Sequence, residues 1–70
     1  MKLIFTEHAE ERLETRKLLK TEIMEAIKFP DKILKKHNKH YYQKLLERGK
    51  IEIVCDKTEK HIKVITLYWL

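Results

Sequence analysis

Residues 51–69 read Ile51-Glu-Ile-Val-Cys-Asp-Lys-Thr-Glu-Lys-His-Ile-Lys-Val-Ile-Thr-Leu-Tyr-Trp69, and this stretch decides the fold. Apolar residues stand at every second position of residues 51–55, which is the period of a β-strand. Residues 62–69 form the longest apolar run of the chain and predict a strand near the middle of a sheet, covered on much of both faces. The polar residues 56–60 between them predict a turn. The two strands therefore form an antiparallel hairpin.

Two further strands are predicted immediately upstream, at residues 32–36 and 41–46. A turn at residues 37–40 joins them, and a second turn at residues 48–50 contains Gly49, which tolerates a positive φ. Because side chains alternate along a strand, Tyr41 and Tyr42 must point to opposite faces. One tyrosine is expected in the core, and the other on the surface.

Two helices are predicted ahead of these strands. Thr6 is a suitable N-cap for a helix over residues 7–17, and Thr21 for a second helix that ends before Phe29-Pro30, since a residue preceding proline is disfavoured in the α region. Residues 2–5 predict a short first strand. The order β-α-α-β-β-β-β describes an α+β fold with an antiparallel pair of N-terminal helices on a mainly antiparallel sheet.

The composition is that of one small domain, residues 1–70. A single cysteine, Cys55, excludes an intrachain disulfide and a cysteine zinc site, and its apolar surroundings predict a buried, inert thiol. No apolar stretch has the length of a signal peptide core or a membrane span, so we expect a cytoplasmic protein without membrane contact.

The positive charge is concentrated in residues 31–50. This segment holds seven Lys and Arg against Asp31 and Glu47, and so accounts for the whole net charge of +5. Histidines and tyrosines are interleaved with the lysines, a pattern typical of proteins that bind a phosphate backbone. The alternative is a solvated hairpin in which lysines discourage edge pairing. The residues alone leave both interpretations open.

Several side chains are candidates for chemistry. His8, Arg12 and Arg16 recur every four residues and form one stripe on the first helix. The stripe can face phosphate or move protons; the structural alternative, favoured for His8, is a hydrogen bond to a neighbouring strand. His37 and His40 flank the first turn, where we favour exposed turn residues over an acid or base and expect no metal, because a third ligand is missing nearby.

The chain resembles a family of small prokaryotic domains of unknown function that is similar to the RelE/BrnT-like toxins of type II toxin–antitoxin systems. The resemblance is carried by Thr6-Glu-His-Ala9, Glu11-Arg12-Leu13 and Thr15-Arg16, followed by Phe29-Pro30, the basic hairpin and Val64-Ile-Thr-Leu-Tyr68-Trp69. It covers nearly the whole chain. In this family a glycine often follows the second arginine, where this chain has Lys17.

The resemblance implies a RelE-like sheet with a basic surface for RNA. Toxins of this type cut RNA without a metal: the ribose 2′-OH attacks the adjacent phosphate, Arg and Lys stabilise the developing charge, and His, Tyr or Glu move protons. Arg12, Arg16 and His8 match family positions, whereas Lys44, Arg48 and Tyr68 match by location. The expected partners are RNA, free or on the ribosome, and an antitoxin protein, with no cofactor.

The predicted site comprises two sets of residues. The catalytic candidates are His8, His40, Arg48 and Tyr68. The candidates for nucleic-acid binding are Arg12, Arg16, Lys35, Lys36, Lys39, Tyr41 and Lys44. Two alternatives remain: a non-catalytic module that binds nucleic acid or an acidic partner, and a protein-interaction domain, including a homodimer, that pairs through the Trp69-Leu70 terminus and an exposed edge strand.

Overall fold

The chain folds as two helices and five strands over residues 2–70, the part described by a computed structural model. The elements are β1 Lys2–Phe5, α1 Glu7–Arg16, α2 Lys20–Lys28, β2 Lys32–Lys36, β3 Lys39–Leu46, β4 Gly49–Lys57 and β5 His61–Trp69. The predicted order of elements is therefore confirmed. Neither helix is long and apolar enough to cross a membrane.

The five strands described form a mixed sheet in the order β1-β5-β4-β3-β2. The pairs β2–β3, β3–β4 and β4–β5 are antiparallel, as expected of a meander. β1 pairs parallel to β5, so the sheet is mainly but not entirely antiparallel. This pairing places β4 at the centre and β5 beside it.

Both helices cover the same face of the sheet. α1 packs against β1 and β5, and α2 against β3. The core between the layers contains side chains that are completely buried, among them Ala9, Ile23, Ala26, Ile51, Ile53, Val64 and Leu67. Each large aliphatic side chain buried here contributes about 1.5–3 kcal/mol. The other side of the sheet carries no helix in residues 2–70, and we call it the open face.

A β-bulge in β5 decides which side chains reach the open face. Val54 pairs with Thr66 but the next residue of β4, Cys55, pairs with Val64, so Ile65 is an extra residue. Because the side-chain period of a strand is two, one extra residue reverses the faces beyond it. The bulge therefore lets Val64 and Leu67, three residues apart, both enter the core. It also turns Tyr68 onto the open face.

Thr6 joins the start of α1 to this bulge. Its hydroxyl oxygen accepts a hydrogen bond from Ala9 N (3.0 Å), and the hydroxyl donates to the carbonyl oxygen of Ile65 (2.9 Å). The predicted N-cap is thus confirmed. One hydroxyl satisfies a free amide of the first helical turn and a carbonyl of the bulge.

The connection between the helices differs from the prediction. α1 ends at Arg16, and Lys17 adopts a left-handed conformation with φ 56° and ψ 50°. The family that the chain resembles often has a glycine at this position, which is the usual residue for a left-handed helix end. In this chain a lysine adopts that conformation. The N-cap of α2 is Leu19 and not Thr21, because the helix begins at Lys20. The carboxylate of Glu22 accepts a hydrogen bond from Leu19 N at 3.0 Å.

The β2–β3 turn is tighter than predicted. His37 and Asn38 both have positive φ, 53° and 59°, and Lys39 already belongs to β3. Two such residues in succession form the type I′ turn that matches the twist of a hairpin.

Candidate functional site

Glu52 occupies the middle of the open face. It lies on the central strand β4, between Gln43 of β3 and Tyr68 of β5 in the register of the sheet. Its flanking residues Ile51 and Ile53 are buried on the helix side, so alternation directs the carboxylate to the open face. The neighbouring side chains leave Glu52 only 9% exposed. A carboxylate so nearly buried requires partners.

Both carboxylate oxygens of Glu52 accept a hydrogen bond from a neighbouring strand. Gln43 Nε2 donates to Oε2 at 2.7 Å, and the hydroxyl of Tyr68 donates to Oε1. Burial alone raises the pKa of Glu52, but the hydrogen bonds from Tyr68 and Gln43 and the ammonium groups of Lys36 and Lys50 outweigh it. The net pKa is lower than the ordinary value, so the carboxylate is ionised at neutral pH.

Tyr68 shows the opposite shift. Burial, the hydrogen bond to Glu52 and the charge of that carboxylate raise the pKa of Tyr68 to about 12. The phenol is therefore protonated at neutral pH and donates to an ionised acceptor, which is a strong type of hydrogen bond. The proton therefore stays on Tyr68, and the pair places a hydroxyl group beside an ionised carboxylate.

The open face carries an excess of lysines. In each strand, the residues that alternate with the buried core residues point to the open face. The charged residues assigned to this face in that way are Lys2, Lys32, Lys36, Lys39, Lys50 and Lys63, against the two acids Glu52 and Asp56. Lys36 Nζ lies 5.1 Å from the centroid of the Tyr41 ring. Lys39 is partly neutralised by Asp56, at 2.9 Å. The face combines positive charge with tyrosine rings.

The predicted site residues are divided between the two sides of the sheet. Four of them lie on the open face: Lys36, Lys39, Tyr41 and Tyr68. Four lie on the helix side or at its margin: Lys35, His40, Lys44 and Arg48. The remaining three, His8, Arg12 and Arg16, lie on α1. One concave surface containing all of them is therefore not formed.

Lys44 and Arg48 make contacts that join elements of the fold. Lys44 Nζ donates to the carbonyl oxygen of Phe29 at 2.8 Å. Arg48 donates to the carbonyl oxygen of Lys17 at 2.8 Å and to Glu22 at 2.6 Å, and its guanidinium lies 5.6 Å from the Trp69 ring centroid. These contacts occupy the groups that a phosphate would need.

His40 lies beside the core and is not an exposed turn residue. Its ring stacks on Tyr42 with 6.2 Å between centroids, and its register partner Cys55 is buried. Nδ1 of His40 is buried and has no hydrogen-bond partner among residues 2–70. The expectation of an exposed side chain is wrong here because His40 belongs to β3, and its side chain points to the same face of the sheet as the buried Tyr42.

The stripe on α1 is exposed or nearly so. Arg12 Nε donates to His8 Nε2 at 3.4 Å, a contact within the helix, and this contact replaces the expected bond from His8 to a strand. The carbonyl oxygen of Arg16, rather than its guanidinium, accepts a hydrogen bond from Trp69 Nε1 at 3.3 Å. The described residues also contain no cluster of three His, Cys, Asp or Glu placed to hold a metal ion.

Two central residues of the site, Glu52 and Gln43, were absent from the sequence prediction. A signal for Glu52 exists: it is a lone carboxylate within five residues that are otherwise Ile, Val and Cys. A charged residue within a central strand is unusual unless it is paired. The partners could not be identified, because the register and the bulge bring them together.

The fold and the site define a class: a small α+β domain with helices on one side of its sheet and a basic, tyrosine-bearing open face on the other. The chain belongs to the family described as Domain of unknown function (DUF4258), which matches residues 5–69. No curated protein and no solved structure matches the chain. A relation to the RelE/BrnT-like toxins stays a prediction.

Proposed function

We propose that this protein is a toxin-type RNA-binding domain of the RelE/BrnT kind, which cuts RNA without a metal ion and is neutralised by an antitoxin in the cytoplasm. The observation that supports this most is the Glu52–Tyr68 pair at the centre of a lysine-rich sheet face. The substrate lies on the open face. The helix-side candidates, including Arg48 and His40, stabilise the fold instead.

Binding uses charge and stacking. Lys36 and Lys50 approach the centre of the face, as their effect on the pKa of Glu52 indicates, and pair there with phosphates. Tyr41 offers a ring to a base, an interaction worth about 1–3 kcal/mol per base. Such a surface binds single strands with a strong dependence on salt and little dependence on sequence.

Cleavage uses the hydrogen bond from Tyr68 to Glu52 as a path for a proton. The hydroxyl oxygen of Tyr68 takes the proton of the ribose 2′-OH while its own proton passes to Glu52, and the 2′-oxygen attacks the adjacent phosphorus. The bond from phosphorus to the 5′-oxygen breaks, and that oxygen leaves with a proton from solvent. The ammonium groups of Lys36 and Lys50 stabilise the added negative charge. Glu52 then returns its proton to solvent, leaving a 2′,3′-cyclic phosphate.

The binding part is tested with labelled single-stranded RNA of mixed sequence. Lys36→Gln and Lys50→Gln remove charge from the open face, whereas Lys28→Gln removes the same charge from the exposed end of α2. We expect each open-face variant to weaken binding and reduce its salt dependence, and Lys28→Gln to bind as the native chain does. Equal losses in all three variants contradict the assigned face.

The cleavage part is tested with the same RNA, with and without EDTA and with and without added ribosomes. Glu52→Gln and Tyr68→Phe should abolish 2′,3′-cyclic ends while RNA binding remains. Tyr41→Phe is the matched control, because it removes a hydroxyl from the same face and keeps the stacking ring. Cleavage that EDTA abolishes, or that survives in Glu52→Gln, contradicts the proposed chemistry.

A non-catalytic binding module is the second candidate, and one observation favours it. Glu52 is 9% exposed and both of its oxygens already accept hydrogen bonds, which is also the arrangement of a structural carboxylate. This candidate predicts salt-sensitive binding without RNA turnover. Expression in a host separates the two: growth arrest that Glu52→Gln relieves supports the toxin, and normal growth supports the module.

A further inference from the structure

We propose that the outer edge of β2 binds an extended, acidic segment of a partner protein by strand addition. This inference concerns an interaction surface and does not depend on RNA binding or cleavage. It rests on three features of one edge of the sheet: an available strand, exposed apolar side chains and uniform positive charge.

β2 is an edge strand with a regular backbone. It is the last strand in the sheet of residues 2–70 and pairs there with β3 over all five of its residues, Lys32–Lys36, without a register shift. It contains no proline, so half of its N–H and C=O groups face outward in a regular row. Such a row accepts another extended chain through main-chain hydrogen bonds.

Apolar side chains are uncovered at the same edge. Ile33 is 51% exposed, although its register partner Tyr42 is 4% exposed, because α2 packs mainly over β3. Phe29, which ends α2 and leads into β2, is 65% exposed. An added strand with apolar residues on the helix side would cover Ile33 and extend the layer.

The charge of β2 selects the partner. Lys32, Lys35 and Lys36 are exposed, and the strand contains no acid. A second copy of this chain is a poor partner, because antiparallel pairing about Leu34 would set Lys32 of each copy opposite Lys36 of the other. An acidic strand removes this repulsion. The occupant is therefore a partner segment in which acidic and apolar residues alternate.

The test uses a short labelled peptide that alternates Glu and Val, with a peptide of the same composition in shuffled order as its control. Ile33→Glu replaces the exposed apolar side chain by a carboxylate. Leu70→Glu makes the same kind of change at another exposed aliphatic residue, which is 59% exposed and follows the end of β5. We expect the alternating peptide to bind, Ile33→Glu to weaken it about tenfold, and Leu70→Glu to leave it unchanged.

Hydrogen exchange locates the peptide. Protection should increase at alternate amides of β2 in the native chain and fail to increase in Ile33→Glu. Equal binding of the shuffled peptide, or protection elsewhere, overturns the inference. Absence of peptide binding also overturns it, and would mean that the lysines prevent pairing at this edge. A concentration-dependent dimer that Ile33→Glu abolishes overturns it as well. RNA binding by Ile33→Glu should be native, so the outcome is distinct from that of the proposed function.

Discussion

The three tyrosines occupy different environments because of their strand positions. Tyr42 is buried in the core, where burial raises its pKa, while the adjacent Tyr41 lies on the open face. This division confirms the prediction from alternation. Cys55 is also buried as predicted, and burial raises the pKa of its thiol to about 12. Tyr68 donates a hydrogen bond to the carboxylate of Glu52.

Tyr68→Phe should raise the pKa of Glu52, since burial then acts against one fewer hydrogen bond. We also expect a loss of about 1.5–3 kcal/mol in the free energy of unfolding at neutral pH. The measurements are a carboxyl carbon NMR titration and urea unfolding. Tyr41→Phe, the control, should leave both quantities unchanged. If the pKa of Glu52 is the same in Tyr68→Phe as in the native chain, the hydrogen bond from Tyr68 to Glu52 is ruled out.

The pH dependence has a definite sign. The pKa of Glu52 is lower in the folded chain than its ordinary value of 4.5, so the unfolded chain binds the proton first as the pH falls. The stabilisation is complete above that ordinary value and is lost as the pH falls through the folded pKa. On acidification through this range, the free energy of unfolding should therefore decrease less in Tyr68→Phe than in the native chain.

At the scale of elements, the bulge in β5 and the start of α1 form one unit. The hydroxyl of Thr6 connects them, and Thr6 N also donates to the carbonyl oxygen of Val64 at 3.1 Å. The helix therefore starts at a fixed point above β5. This position holds α1 over the core and, through the bulge, keeps Tyr68 on the open face.

Thr6→Ala should lower the free energy of unfolding by about 1 kcal/mol through loss of the cap, and by more if the bulge relaxes. The measurement is urea unfolding, with the tyrosine–carboxylate pair followed by the pKa of Glu52. Thr21→Ala serves as control. Thr21 is an exposed residue inside α2 and not its cap, so its replacement should cost nothing. A larger loss in Thr21→Ala would contradict this assignment of the caps.

At the scale of the whole molecule, Arg48 ties the β3–β4 turn to both helices and to β5. It contacts the carbonyl oxygen that follows α1, the Glu22 carboxylate of α2 and the ring of Trp69. The hydrogen bond from Leu19 N lowers the pKa of Glu22, burial opposes it, and Arg48 lowers it further. A small domain has a low free energy of unfolding, so a side chain that connects four elements contributes a noticeable share of it.

Arg48→Ala should therefore reduce the free energy of unfolding by about 1 kcal/mol, a figure limited by the exposure of the side chain. It should also raise the pKa of Glu22 while RNA binding stays native. Thermal unfolding and an NMR titration measure these effects. Arg16→Ala, which removes the same charge from an exposed position on α1, should change none of them; a loss of RNA binding in Arg48→Ala alone would return Arg48 to the site.

Local patterns sufficed for much of the fold. Alternation and turn residues predicted the strands of the meander, the division of Tyr41 from Tyr42 and the burial of Cys55, because each depends on a few neighbouring residues. Thr6 was recognised as a cap for the same reason. Of the predicted site residues, Tyr68, Tyr41 and two lysines lie on the open face of the sheet, whereas His40, Lys44 and Arg48 do not.

The amino-acid sequence by itself determined the order of elements, the concentration of positive charge and the antiparallel meander of the last four strands. Tertiary structure alone decided the parallel pairing of β1, the bulge at Ile65 and the meeting of Glu52 with Tyr68 and Gln43. The physical reason is range. Periodicity and capping act over a few residues, whereas register and face are set by pairing between strands far apart in the chain, where one extra residue reverses the side on which every later residue lies.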